Sequence, residues 1–300
     1  MPTIVRNPEV EDNIVEATLR TEADVANVRR LYEDGKLVYL SDTRFDVDYD
    51  FLNSLDFDVD GPAEHMKAIK KFGGKKIAAI KPGAITDEFL QFVYDKVFLA
   101  DEGRLKKYKA EVKRGNEQSE AIIRKVFPTY EFTKIMPTWR FTRTMFENLH
   151  WDNFKIEDHK FQQVRVFTNM APTPRIWRTH DSFLTYCERH YEEHGLARFA
   201  GQNADRMVRH INNNVIGGQA KAPLDNLPKT HIAWEQGDVW LAETRVVSHQ
   251  IYIGEKAFAS MNFANPETME RPEQLFDHRV ERLHKQMGGL NEDGSIANAA

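Results

Sequence analysis

The sequence predicts an α+β fold whose core is a double-stranded β-helix, a cupin-like jelly roll, buttressed by helices. Three observations predict it. Apolar residues at helical spacing dominate the first third of the chain. From Phe127 on, β-branched and aromatic residues alternate with polar ones in short runs. Those runs fall in two groups separated by a helical stretch, which suits a double-sheet jelly roll and argues against a continuous parallel sheet with regularly alternating helices.

Taken in order, Thr21 to Gly35 carries Val25, Val28 and Leu31 at helical spacing, with Thr21 placed to cap it and Gly35 to end it. Lys36-Leu-Val-Tyr-Leu40 then reads as a strand. Helical patterns follow from Ala63 to Phe72 and from Asp87 to Arg124, interrupted near Gly73-Gly74 and Lys81-Pro-Gly83. The clearest strands are Phe161 to Thr168 and Asp238 to Ala242. A helical insert is expected over Ser182 to Asn214, then a loop rich in Gly, Pro and Asn from Asn212 to Pro228. A charged helix is expected over Glu267 to Met287, and a frayed end over Gly288 to Ala300. The expected organisation is a single domain over 1–300. It comprises a helical N-terminal part to about 126, a jelly-roll core over about 127–265 with the insert at about 182–214, and a C-terminal helix over about 267–287.

A net charge of −5 gives no electrostatic reason to expect nucleic acid or an anionic membrane as partner. The basic stretch Arg104 to Arg114 is expected to be a solvated helix face. The single cysteine, Cys187, excludes an intramolecular disulfide and a multi-cysteine zinc site, and reads as a small core residue. Met1 to Pro8 lacks the apolar stretch of a signal peptide, and no window of about eighteen apolar residues occurs, so a cytoplasmic protein is expected.

The most informative segment is Leu149-His150-Trp151-Asp152-Asn153-Phe154, joined with a third imidazole at Ser248-His249. In a strand, residues two apart share a face, so His150 and Asp152 can project together while Trp151 points away. Two imidazoles and one carboxylate form the ligand set of a mononuclear non-haem iron site, with the remaining positions open to a bidentate cosubstrate and dioxygen. His249 follows a turn, strand, turn pattern from Gln236; His231, in another short apolar stretch, competes for the same role. His190 and His194, four apart on a helix, are a separate possible zinc pair.

A keto-acid cosubstrate needs a cationic clamp for its distal carboxylate, and Arg supplies a planar fork. Many such oxygenases carry that Arg about ten residues beyond the distal His, an interval that holds only Lys256 here. Arg140 and Arg143, upstream of the His-x-Asp pair, are the candidates, with Arg140 first. Asn169 is a further candidate for hydrogen bonding to a carboxylate. Arg175, Trp177 and Arg178 are candidate contacts to an acidic substrate or a sugar ring.

Together these segments resemble the bacterial Kdo hydroxylase family, iron- and 2-oxoglutarate-dependent oxygenases that modify 3-deoxy-D-manno-oct-2-ulosonic acid in lipopolysaccharide. The resemblance lies in Leu31 to Leu40 with Phe45, Leu149 to Phe154, Val164 to Asn169 followed by Pro174 to Arg178, Ser248-His249, and more loosely Phe263 to Leu283. It implies His150, Asp152 and His249 as metal ligands and Arg140 as a keto-acid contact. It also implies Fe(II), 2-oxoglutarate and dioxygen as cofactor and cosubstrates, with ascorbate as a stimulant and a small-molecule or glycolipid substrate. The family's usual Gln and Glu-Gln positions after the distal His are Glu255, Ala259 and Ser260 here, a departure on the substrate side. An amino acid or natural-product substrate would suit the same arginines. A 2-oxoglutarate-independent cupin-type metalloenzyme and a sugar-binding module are the other classes that the residues allow.

Overall fold

The computed structural model describes residues 1–69, 79–154, 160–216 and 226–297. Two sheets of opposite character make the frame. One has five strands in the order β1 (Thr3–Val5), β8 (Thr230–Trp234), β7 (Arg175–Thr179), β10 (Gln250–Gly254) and β5 (Thr144–Met145). The other has six, in the order β2 (Ile14–Ala17), β3 (Leu37–Leu40), β9 (Val239–Leu241), β6 (Gln162–Asn169), β11 (Ala257–Ala264) and β4 (Phe132–Arg140). All pairs are antiparallel except β2 with β3.

The six-stranded sheet is covered on both faces, and β6 shows how its sequence meets that demand. Val164 and Val166 face a helical layer, whereas Arg165 and Phe167 face the other sheet, as the two-residue period of a strand requires. Between the sheets, Phe167, Trp177, Trp234, Trp240 and Tyr39 form an aromatic core. Each buried aromatic there contributes roughly 1.5–3 kcal/mol.

The helical layer is built from α1 (Glu22–Glu33), α2 (Tyr49–Ser54), α3 (Ala63–Ile69), α4 (Glu88–Lys96) and α5 (Glu102–Val126). Thr21 caps α1 reciprocally with Asp24, as its position in the sequence predicts. The expected helix from Asp87 to Arg124 is broken, because Leu99 and Ala100 adopt φ of 57° and 52° and Asp101 then caps a new helix. Its basic stretch points Lys106, Lys107, Lys113 and Arg114 to solvent, as expected. Gly73-Gly74 and most of the Asn212 to Pro228 loop lie outside the described residues.

Several expectations are corrected. In the N-terminal part, β3 is the strand expected at Lys36 to Leu40, but β1 and β2 also join the sheets and are too short to show a periodicity. The expected helical insert is present as α6 (Phe183–Arg189), a 3₁₀ turn at Leu196–Phe199, α7 (Ala204–His210) and a π turn at Ile211–Val215, broken at Gly195 and Gly201, both at positive φ. The C-terminal helix, α8 (Phe276–Gln286), begins later than expected, because Pro266 and Pro272 start two 3₁₀ turns before it. The end is not frayed over its described length: Leu290 is buried and bridges Ile296. No described helix is long and apolar enough to cross a membrane.

Gly115 of α5 allows the helix to lie against the sheet. A Cβ there would sit 2.6 Å from the buried Trp139 indole, which Asn116 holds in place by accepting its N–H. Gly115→Val is therefore expected to lower the unfolding free energy by about 1–3 kcal/mol through overpacking, despite its better helix propensity, as read from urea denaturation.

Candidate metal centre

Three consecutive residues, His150, Trp151 and Asp152, are held by three different parts of the chain. His150 and His249 form an isolated antiparallel bridge, with the His150 N–H donating to His249 O at 3.1 Å and the His249 N–H to His150 O at 2.9 Å. Trp151 is clamped by Asn212, whose Oδ1 accepts its N–H at 3.1 Å and whose Nδ2 donates to its carbonyl at 2.7 Å. The Asp152 N–H donates to Thr244 O at 2.7 Å. The His-x-Asp segment is thus not a strand as expected. It is one bridged residue followed by irregular backbone, and Trp151 points away into an apolar cluster with Phe183 and Tyr186.

Directly opposed residues of an antiparallel bridge send their side chains to the same face, so the two imidazoles meet, with ring centroids 4.3 Å apart. His150 Nδ1 donates to Asn148 O at 2.8 Å, and His249 Nδ1 faces Val247 O at 3.4 Å. A carbonyl only accepts, so each Nδ1 carries a proton, and Nε2 is the ring nitrogen left to face the cavity. Asp152 Oδ1 lies 3.7 Å from the Nε2 of His150 and 3.8 Å from that of His249. Ligands about 2.1 Å from one ion can be up to about 4.2 Å apart, so Oδ1 can share an ion with either Nε2, and the three candidate ligand atoms all lie within 4.8 Å of one another.

The second carboxylate oxygen is already committed. Arg165 Nη1 donates to Asp152 Oδ2 at 2.5 Å and to Thr244 Oγ1 at 2.9 Å, and the Thr244 hydroxyl donates to the same Oδ2. Thr244 is fixed in turn by Gln163, whose Oε1 accepts its N–H at 2.9 Å, and lies between the buried, ion-paired Glu243 and Arg245. Burial opposes ionisation of Asp152. The Arg165 guanidinium, with His249, His150 and Thr244 behind it, outweighs burial and holds the carboxyl well below the usual range. Burial, then the neighbouring His150, push His249 down to about 3 against the pull of Asp152, so its ring is neutral at neutral pH. Two imidazole nitrogens and one anionic oxygen on one side of an open cavity suit a divalent ion with free coordination positions.

The ligand atoms open into a cavity of about 570 Å³ whose lining includes Arg140, Glu147, Asn153, Arg165, Arg175 and Trp177. Trp177 stacks against the His249 ring, centroids 5.3 Å apart. Two residues along the same face of β7, Arg175 is 3% exposed, and the one hydrogen bond of its guanidinium among the described residues is a 3.4 Å contact to Glu255 O. Burial, with Arg140 adding to it, pushes its guanidinium down to about 10 against the pull of Glu147, which leaves it charged at neutral pH. Gly254 on β10 makes room for it, since a Cβ there would lie 2.5 Å from Arg175 Nη1. A cation buried this deeply without a close acid is costly unless a bound anion meets it.

Of the other predicted site residues, Arg140 lines the cavity from its rim, 42% exposed and 3.4 Å from Glu147. Arg143 does not line it; it is exposed, in the turn between β4 and β5. Asn169 is spent within the fold, its Nδ2 donating to Thr173 O and Trp234 O and its Oδ1 accepting the Ala171 N–H. Arg178 is three residues from Arg175 and so faces the other side of β7, its guanidinium 3.4 Å above the Tyr252 ring. Lys256 donates to the carbonyls of Leu52, Asn53 and Leu55 and closes the end of α2. His231 lies on the outer face of β8, paired with Val5 and outside the cavity lining. Cys187 is buried. His190 and His194 do approach one another, with Glu193, on a partly exposed turn. Sequence reasoning missed Arg165, Thr244 and Asn212.

Titration of the apo-protein with Co(II) is expected to load the His150, Asp152, His249 site. His150→Ala and Asp152→Ala should each remove that equivalent, as elemental analysis after desalting would show. Gly254→Ala should leave it in place.

No protein-family model matches this chain, and no curated protein does. Solved structures do. The apo form of the Kdo hydroxylase KdoO, a non-haem Fe(II) α-ketoglutarate-dependent dioxygenase, aligns with a TM-score of 0.62 at 18% identity, over 92% of this chain and 96% of that one. Its cobalt(II) complex aligns at 0.62 and 17% identity, over 96% and 99%. Its complex with α-ketoglutarate and Fe(III) aligns at 0.58 and 15% identity, over 95% and 98%. Over nearly its whole length, this chain shares the mixed α+β, two-sheet fold of KdoO.

Proposed function

We propose that this chain is an Fe(II)- and 2-oxoglutarate-dependent dioxygenase that hydroxylates a C–H bond of a polar, anionic small molecule, a sugar acid such as Kdo by likeness to KdoO. The observation that carries this reading is the convergence of two Nε2 atoms and one carboxylate oxygen at a cavity that also holds a buried arginine with no acid in ion-pair contact among the described residues. In the same reading the two facing sheets are a double-stranded β-helix of cupin type and the chain is one oxygenase domain.

His150, Asp152 and His249 would hold the iron, with Asp152 bound through Oδ1 alone because Arg165 and Thr244 occupy Oδ2. Arg175, rather than Arg140 or Arg143, would take the distal carboxylate of 2-oxoglutarate, since it is buried, faces the cavity and meets no acid within ion-pair distance among the described residues. Arg140, half exposed at the mouth beside Glu147, would meet the substrate. Trp177 packs beneath His249 and keeps water from that side of the site. When bound, iron with 2-oxoglutarate and dioxygen supplies the oxidising power for hydroxylation, and ascorbate would sustain it by keeping the metal ferrous.

Anaerobic addition of Fe(II) and then 2-oxoglutarate should produce the weak visible charge-transfer band of the chelate. Arg175→Met should weaken 2-oxoglutarate binding by about 30- to 1,000-fold, the effect of removing one partner of a buried charge pair. Arg140→Met should weaken it less than about tenfold, as for an exposed pair. Bound metal without a band would point to a 2-oxoglutarate-independent metalloenzyme, and no metal binding to a sugar-binding module.

A further inference from the structure

One chain of aromatic side chains leads from the metal-site imidazole to the edge of the fold. His249 stacks on Trp177 at 5.3 Å, and Trp177 meets Trp240 edge-on at 5.2 Å. Trp240 stacks on Trp234 at 4.2 Å with the rings 3° from parallel, and Trp234 meets Tyr39 at 5.9 Å. The Tyr39 hydroxyl then donates to Asp238 Oδ1 at 3.1 Å, and that carboxylate lies 3.9 Å from the amino group of the exposed Met1.

The polar atoms along this chain differ in one respect. The indole N–H groups of Trp177, Trp240 and Trp234 are buried without an acceptor among the described residues. Buried donors are normally paired, so three unpaired ones in contact with one another call for an explanation. An indole that loses an electron can settle as a neutral radical only by passing its N–H proton to a base, and these three have none. Tyr39 is the first group along the chain with a base in hydrogen-bond contact. Burial and Asp238 both raise its pKa, so the phenol holds its proton until it is oxidised.

The geometry points to a protective redox relay, in which Tyr39 gives an electron through Trp234, Trp240 and Trp177 to an iron centre oxidised by dioxygen and 2-oxoglutarate while no substrate occupies the cavity. This rests on the oxygenase reading, which supplies the oxidant. The balance is one electron and one proton: the Tyr39 O–H bond breaks, its proton moves to the Asp238 carboxylate, its electron reduces the iron by one, and Tyr39 is left as a neutral radical. A soluble enediol reductant of the ascorbate type then returns one electron to Tyr39, and Asp238 returns the proton. Without the relay, the oxidising equivalent would be spent on Trp177, the aromatic side chain stacked on a ligand.

The test uses the full chain loaded anaerobically with Fe(II) and 2-oxoglutarate, and the chelate band is read first. The loaded protein is then mixed with dioxygen without substrate, freeze-quenched for electron paramagnetic resonance, and digested for peptide mass spectrometry. Wild type should give a tyrosyl radical and little oxygenated Trp177. Tyr39→Phe, which keeps the ring, and Asp238→Asn, which keeps the phenol but removes the base, should both form the band, lose the radical and accumulate Trp177 carrying an added oxygen atom. A radical that persists in Tyr39→Phe, or equal Trp177 oxygenation in all three proteins, would overturn the relay and leave the oxygenase reading standing. Absence of the band in wild type would remove the oxidant and overturn both.

Discussion

Two reciprocal backbone hydrogen bonds between His150 and His249 are the constraint on which the rest of the site depends. They join segments nearly a hundred residues apart and set both imidazoles side by side on one face. The register behind the bridge is set by β10, which pairs Ile251 with Trp177 on one side and Ile253 with Met145 on the other. A slip of one residue would turn His249 to the opposite face and leave Asp152 with one imidazole. The bridge thus converts sheet register into ligand geometry.

The charges around that bridge are ordered by depth. Asp152 is matched by Arg165 from the six-stranded sheet, so one carboxylate oxygen is committed and the other is free. Arg175, on the five-stranded sheet, has no such partner among the described residues, and Gly254 leaves it the space to stay buried. Arg140 at the rim already shares Glu147. In the proposed reading, a diacid reaching from a bound metal to Arg175 would meet a lining cation that has no acid partner among the described residues, while the rim pair stays free to exchange Glu147 for a second anion.

Much of this was legible in the sequence, because ligand chemistry is confined to few residue types. His150, Asp152 and His249 stand out as imidazoles and a carboxylate in short apolar surroundings, and the Arg175 to Arg178 segment as cations around an indole. The two-residue strand period already separates Arg178 from Arg175 and Trp177, a signal present in the sequence that places Arg178 on the outer face. Arg143 and Asn169 are not separable locally from the residues that line the cavity, since an exposed turn and a hydrogen bond to Trp234 are consequences of tertiary packing. Arg165, Thr244 and Asn212 have no local signature either. Each reaches the site only when strands or turns distant in sequence come together. The short strands β1 and β2 were hidden for the same reason, being defined by their partners rather than by their own pattern.

The most direct test is a crystal structure of the protein loaded anaerobically with Fe(II) and 2-oxoglutarate, with anomalous data collected at the iron edge. The account predicts a single strong iron peak bonded to His150 Nε2, His249 Nε2 and Asp152 Oδ1, with the distal carboxylate of 2-oxoglutarate on Arg175. Iron at His190, Glu193 and His194 instead, or a keto acid anchored on Arg140 with Arg175 untouched, would contradict it.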